Sequence, residues 1–178
     1  MNIAVFCSSS NNVGEQYRKM AFELGAEIAQ RGHTLVYGGA TGGLMDEVAK
    51  GAASCNGDII GIIPEEIVER GRLSDLPTEL YRVDTLGERK AMMKEMSDLF
   101  VALPGGFGTL DEMMDAISSC KLGETEARTV IMNINGFYDA IIAHIRRFTD
   151  EGLGKPNDTD CYAVASTIPE LFDYLPAD

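Results

Sequence analysis

The 178-residue chain has only two histidines, and its four cysteines, Cys7, Cys55, Cys120 and Cys161, are scattered with no Cys-x-x-Cys pair. That pattern indicates neither a zinc site nor a disulfide framework, and the cysteines read as small buried hydrophobes. Positive charge is also scarce: 15 Lys and Arg face 28 Asp and Glu, a formal net charge of -13. Such a field repels nucleic-acid phosphates and anionic membranes, so neither is an expected partner. No apolar run approaches the length of a membrane span, and the opening "MNIAVFCSSS" has no basic leader and too short an apolar run for a signal peptide. A cytoplasmic location is the expectation. With 45% hydrophobic residues, no repeat and no linker, a single domain over residues 1–178 is expected.

What is present is an alternation. Apolar runs of strand length at 3–6, 34–37, 58–63, 99–103 and 129–134 are separated by helix-like segments at 15–31, 44–54, 88–96, 110–122 and 138–151. The runs are continuous rather than of period two, as in strands covered on both faces of a parallel sheet. The expected fold class is therefore α/β, a Rossmann-like doubly wound parallel sheet with helices on both faces. Between Pro64 and Asp84 the pattern weakens into mixed charges, Gly71 and Pro77, and a loop with a short helix is expected. After the turn-rich "GLGKPNDTD" a short strand at 161–165 and a closing helix from Ile168, with Pro169 in its first turn, complete the reading.

Two strand-to-helix junctions carry glycine clusters, "VYGGATGGLM" at 36–45 and "ALPGGFGTLDE" at 102–112. Both fall at the sheet edge where open α/β folds bind ligands, and glycine there lets backbone N–H groups converge on an anion at a helix N-terminus. Phosphate is the natural guest, with Gly39, Gly43, Gly105, Gly106, Phe107, Gly108 and Thr109 as candidate binding positions. Tight turns alone are the competing account of these glycines. Neither cluster is a P-loop, since no Gly-Lys-Ser/Thr follows, and neither is Gly-x-Gly-x-x-Gly, because Ala40 and Asp111 stand where glycine is required. Thr109 and Glu112 also fit a capping box, with Thr109 as N-cap and Glu112 at the third helical position. In "TLGERKAMMKEM" (85–96), Arg89 and Lys90 fall in a first helical turn, where the helix dipole disfavours cations unless an anion is bound nearby. A solvated pair salted to Glu88 or Glu95 is the alternative.

An Arg-Lys pair followed shortly by Pro-Gly-Gly-x-Gly-Thr-x-x-Glu, on an α/β chain of this length, resembles the Lonely Guy family of cytokinin riboside 5′-monophosphate phosphoribohydrolases. The similarity runs from "AVFCSSS" through "YGGATGGLM", "ERKAMM" and "LPGGFGTLDE" to "NINGFYD". It implies a Rossmann-like homodimer that cleaves the N-glycosidic bond of a nucleoside 5′-monophosphate, such as AMP, to free base and ribose 5-phosphate. It also implies Arg89 and Glu112 as the catalytic pair, Lys90 and the glycine turn at 105–109 as substrate-binding positions, and no cofactor and no metal. The family's other label, lysine decarboxylase-like, would need pyridoxal phosphate, a cofactor lysine and a longer fold, of which the residues give no sign. The chain departs from the family pattern at several places. Ala40 and Asp46 replace glycines of the first turn, Ser119-Cys120-Lys121-Leu122-Gly123 replaces Trp-Ala-Gln-Leu-Gly, and Leu86-Gly87 replaces Met-His. Chains with Pro-Gly-Gly-x-Gly-Thr also resemble molybdenum-cofactor carriers, where the same turn would hold a pterin phosphate without chemistry. A third reading, an interaction protein, would use Met92, Met93, Met96, Met113, Met114 and Ile117, although methionine at helical spacing is more often core or homodimer contact.

Overall fold

The computed structural model describes residues 1–175, Pro156 by its backbone alone; residues 176–178, the end of the expected 1–178 unit, lie outside the described residues. Seven strands form one parallel sheet: β1 (Asn2–Phe6), β2 (Thr34–Tyr37), β3 (Ile59–Pro64), β4 (Glu79–Val83), β5 (Leu99–Ala102), β6 (Arg128–Met132) and β7 (Tyr162–Ala165). Their order is β4-β3-β2-β1-β5-β6-β7. Alternate residues of the continuous apolar runs serve opposite faces, as a doubly covered sheet demands. Ile3 and Val5 of β1 pack beneath α1 (Glu15–Gln30), α2 (Gly43–Ser54) and α7 (Ile168–Phe172). Ala4 and Phe6 face the other way, towards α4 (Leu86–Glu95) and α5 (Phe107–Leu122), and α6 (Asp139–Asp150) completes that second layer over Ile131. The doubly wound α/β reading therefore holds.

The 64–84 segment departs from expectation. It contains the short helix, α3 (Glu65–Glu69), but also β4, an edge strand of which only Val83 is buried. The ladder from Ile60–Glu79 to Pro64–Val83 supplies the pairing that hydrophobicity does not announce. β6 ends at Met132, short of the expected 134, and Ile134 enters a 3₁₀ turn. Cys7 and Cys161 are buried as expected, whereas Cys55 and Cys120 are only partly so, because both lie at helix ends. The methionines belong to the core: Met93 and Met113 are fully buried, and Met92, Met96, Met114 and Ile117 pack against the same clusters. No helix among the described residues is long and apolar enough to cross a membrane.

The central strand β1 lies between β2 and β5, and the chain leaves it towards one layer while β5 feeds the other. At such a switch point the two connections diverge and a crevice opens beyond the carboxyl ends of the strands. Here its walls are the residues after Phe6 and the glycine turn after Ala102, tied by Leu103 N–H to Phe6 O (2.9 Å) and Ser8 N–H to Pro104 O (3.3 Å).

Candidate active site

The helix after the second glycine turn starts earlier than its sequence pattern suggests. α5 begins at Phe107 with Gly106 as its N-cap, and no side chain caps it. Thr109 is the third helical residue rather than the cap, and Glu112 the sixth, so the expected capping box does not form. The reason is local. A Cβ at Gly105 would lie 2.1 Å from Thr109 Oγ1, so glycine there lets the threonine fold back over the turn and the helix start beneath it. The first N–H groups of α5, on Phe107, Gly108 and Thr109, consequently have no intrahelical acceptor. Buried Tyr138 braces this turn from below, its hydroxyl donating to Leu103 O at 2.7 Å.

Freed from capping, Glu112 meets Arg89. α4 starts at Leu86 with Thr85 as a true N-cap, accepting from Glu88 N at 3.1 Å, which places Arg89 at the fourth helical position rather than in the expected first turn. From there Arg89 Nη2 donates to Glu112 Oε1, with the two side chains 12% and 5% exposed. Lys90 Nζ pairs with Asp111 at 2.9 Å and Lys94 with Asp115 at 2.8 Å, so α4, which buries only Met93, is held to α5 by three ion pairs. The basic pair is therefore salted to α5, neither to Glu88 nor to Glu95.

Burial raises the Glu112 carboxyl above its ordinary pKa, and the Arg89 guanidinium only partly opposes this. Hydrogen bonding to Asp111 raises Lys90. Cys7, at the end of β1, is pushed up by burial and further by Glu112, against Arg89. A buried neutral thiol is a poor nucleophile, so Cys7 is not a candidate for nucleophilic chemistry in the cleft. One more feature stands out: Arg89 Nε is buried without a hydrogen-bond partner among the described residues. Its N–H awaits an acceptor.

These groups line one cleft of about 440 Å³, walled by Cys7, Ser8, Ser9, Ser10, Met45, Arg72, Arg89, Gly106, Gly108, Thr109 and Glu112. Arg89, Glu112 and the second glycine turn are thus brought together. Gly105 underlies Thr109, and Phe107 points away from the fold, 92% exposed. Lys90 and Asp111 pair just outside. Gly39 and Gly43 are not in the lining: Gly39 packs against Ile63, and Gly43 donates its N–H to Asn11 Oδ1 at 3.0 Å. Leu44 N–H is taken by Ser8 O (2.8 Å) and Thr41 N–H by Arg72 O (2.7 Å), so these three N–H groups of the first glycine turn are bound within the protein. The serines were recoverable as a polar run directly after a strand; Arg72 lies in the stretch read as loop and had no signal. An apolar pocket of about 250 Å³ on the far side of α5, with Met114, Ile117, Ile145 and Phe148, lacks comparable convergent polar groups, since its Lys121 and Asp158 pair with each other at 2.6 Å.

Comparison with known proteins adds the lineage. Residues 45–175 match a family model described as "Possible lysine decarboxylase". The chain is 36% identical over 173 residues, 97% of its length and 76% of the relative's, to the probable cytokinin riboside 5′-monophosphate phosphoribohydrolase LOGL9 of Oryza sativa subsp. japonica. It is 34% identical over 175 residues, 98% of its length and 77% of the relative's, to the cytokinin riboside 5′-monophosphate phosphoribohydrolase LOG5 of Arabidopsis thaliana. Among solved structures, the molybdenum cofactor carrier protein of Chlamydomonas reinhardtii superimposes with a TM-score of 0.74 at 25% identity, covering 97% of this chain and 93% of that one. The chain belongs to the Lonely Guy family, to which that family model corresponds.

Proposed function

We propose that this member of the Lonely Guy family is a phosphoribohydrolase that cleaves the N-glycosidic bond of a nucleoside 5′-monophosphate, AMP or a cytokinin riboside monophosphate, to free base and ribose 5-phosphate. The names of its relatives support a hydrolase of this kind. The observation that carries the reading is the buried Arg89–Glu112 pair beside helix-start N–H groups that have no intrahelical acceptor.

Breaking an N-ribosidic bond develops positive charge at the anomeric carbon, so the enzyme needs a fixed negative charge there and a placed water. Glu112 supplies both: its carboxylate faces the ribosyl cation-like state and takes a proton from the attacking water, while the base leaves with the C–N electron pair and is protonated from solvent. Arg89 holds that carboxylate in place and offsets part of the cost of burying its charge, while its buried Nε–H is available to a substrate oxygen. The α5 N-terminus receives the 5′-phosphate, so that binding energy remote from the reacting bond fixes the geometry. Asp111, turned to Lys90, stays clear of the phosphate.

The same reading takes the protein to be a cytoplasmic homodimer. Leu86, Phe107 and Leu122, exposed at 53, 92 and 71%, lie on α4 and α5 and give a second copy an apolar surface to cover; light scattering that finds only monomer would remove this point. For the activity, the protein is incubated with a panel of nucleoside 5′-monophosphates and free base is followed by chromatography. Base release from at least one, lost in Glu112→Gln, is expected. A pterin that co-purifies, with no base released from any nucleotide, would instead support the carrier reading.

A further inference from the structure

The geometry points to Arg72 as the residue that recognises the substrate's phosphate and so selects nucleotide over nucleoside, an assignment that rests on the phosphoribohydrolase reading above. It starts from charge. The cleft contains two guanidiniums and one carboxylate, and Arg89 and Glu112 neutralise each other. Arg72 is in no ion pair among the described residues; its Nη2 donates only to the main-chain oxygens of Thr41 (2.5 Å) and Ser9 (3.4 Å). In a protein of net charge -13, a half-buried arginine with no carboxylate partner, facing serine hydroxyls and a helix N-terminus, is a local reversal of the field. An anion completes it.

The first glycine turn holds this arginine in place. Thr41 N–H and Oγ1 both donate to Arg72 O, at 2.7 and 3.3 Å, Ser74 N–H donates to Gly39 O at 3.0 Å, and Ala40 bridges Leu73. Residues 72–74 are thereby stitched along 39–41. At Gly42, φ is +104°, and a Cβ would lie 3.1 Å from Arg72 Nη2 and 3.0 Å from Ser9 O. Glycine there opens the slot through which the guanidinium reaches the cleft. The turn thus contributes a seated cation, while the Lys90 ammonium is paired with Asp111. A phosphate monoester between Arg72, Ser8, Ser9, Ser10 and the α5 start would meet two kinds of donor. A nucleoside would leave Arg72 unpaired.

The test is titration calorimetry with ribose 5-phosphate, alongside turnover of AMP and of adenosine. Arg72→Gln removes the charge and, being two atoms shorter, the bond to Thr41 O as well; Arg72→Lys keeps the charge, and thermal melts of both variants separate recognition from folding. Arg72→Gln is expected to weaken ribose 5-phosphate binding about 10- to 100-fold, the size of a charge-assisted hydrogen bond. The preference for AMP over adenosine in kcat/KM should shrink by a similar factor, because AMP loses the charged contact and adenosine never made it, and Arg72→Lys should recover part of the loss. Binding and preference at wild-type levels in a folded Arg72→Gln protein overturn the assignment. Wild-type protein that releases no base yet binds ribose 5-phosphate through Arg72 would remove the hydrolase reading and leave the phosphate site standing.

Discussion

The sequence contains nearly the same four residues at two helix starts, Thr85-Leu86-Gly87-Glu88 opening α4 and Thr109-Leu110-Asp111-Glu112 in α5, and the fold uses them in opposite ways. At the first, Thr85 Oγ1 accepts from Glu88 N at 3.1 Å and Glu88 Oε2 accepts from Asp84 N at 2.9 Å. A third copy of the pattern behaves alike: at α7, Thr167 accepts from Glu170 N (3.4 Å), and Glu170 accepts from Ser166 N (2.7 Å). At α5 none of this happens. Gly106 caps instead, and Glu112 is sent inward to Arg89. A side-chain cap is worth about 1 kcal/mol, and forgoing it leaves N–H groups open towards a cleft. At α4 and α7 the Thr-x-x-Glu pattern seals the helix start; at α5, which borders the crevice, the start stays open and the carboxylate turns to Arg89.

The hardest test of that contrast is to change the two glutamates in the same way. Glu112→Gln should lower base release by about 10²- to 10⁴-fold, the range for removing a general base. Glu88→Gln, which can still accept from Asp84 N, should leave turnover within about two-fold and shift stability by less than ~0.5 kcal/mol. Equal losses in the two variants would erase the distinction. Next in size is Arg89→Ala, which strands Glu112 as a buried carboxylate without its partner; breaking such a pair costs about 3–5 kcal/mol. Denaturant melts at neutral pH measure it, and a loss below ~1 kcal/mol would mean that Arg89 is a surface charge in all but name.

How far the sequence disclosed this follows from the same physics. Continuous apolar runs exposed the interior strands, because burial on both faces leaves no other composition. β4 stayed hidden because an edge strand paired on one side can carry Glu79 and Arg82, exposed, and still be held by its ladder to β3. The glycines and the acid of 102–112 were legible together as a site. What was not legible was the helix start: Thr-x-x-Glu is a local capping signal, and it was outweighed by a tertiary partner 23 residues away in sequence. Arg72 is a still longer-range case, since its place in the cleft comes from bonds to a turn 31 residues earlier.

A smaller effect separates the glutamates by pH. Burial raises the folded-state pKa of Glu112, so the folded protein holds that proton more tightly than the unfolded chain. The stabilisation this gives is complete below the unfolded carboxylate pKa and is lost as pH rises through the raised one. Relative to Glu112→Gln, the wild type should therefore lose stability across that window, by about 1.4 kcal/mol for each tenfold by which folding tightens the proton's binding. Paired melts of the two proteins at acid and neutral pH read this directly, and a difference that does not change with pH would contradict it. Base release should fall on the acid side of the same raised value, and the limb in kcat should lie above that in kcat/KM, because a bound phosphate dianion opposes ionisation of Glu112.

The smallest change is the most discriminating about how the two helix starts are connected. Thr85→Ala removes the cap of α4 and should cost about 0.5–2 kcal/mol. Arg89 sits only four residues further on, so a frayed first turn has a direct route to the Arg89–Glu112 pair. Arg89, Lys90 and Lys94 are, however, each tied to α5, by Glu112, Asp111 and Asp115, and Met93 anchors the same turns in the core. Those ties should hold the guanidinium in place when the cap is gone. Thermal melts should then register the lost cap while turnover per folded molecule, measured well below the midpoint, stays within about two-fold. A drop of more than about ten-fold would mean that the sealed helix start positions Arg89 after all, and that capping and chemistry in this protein are one device.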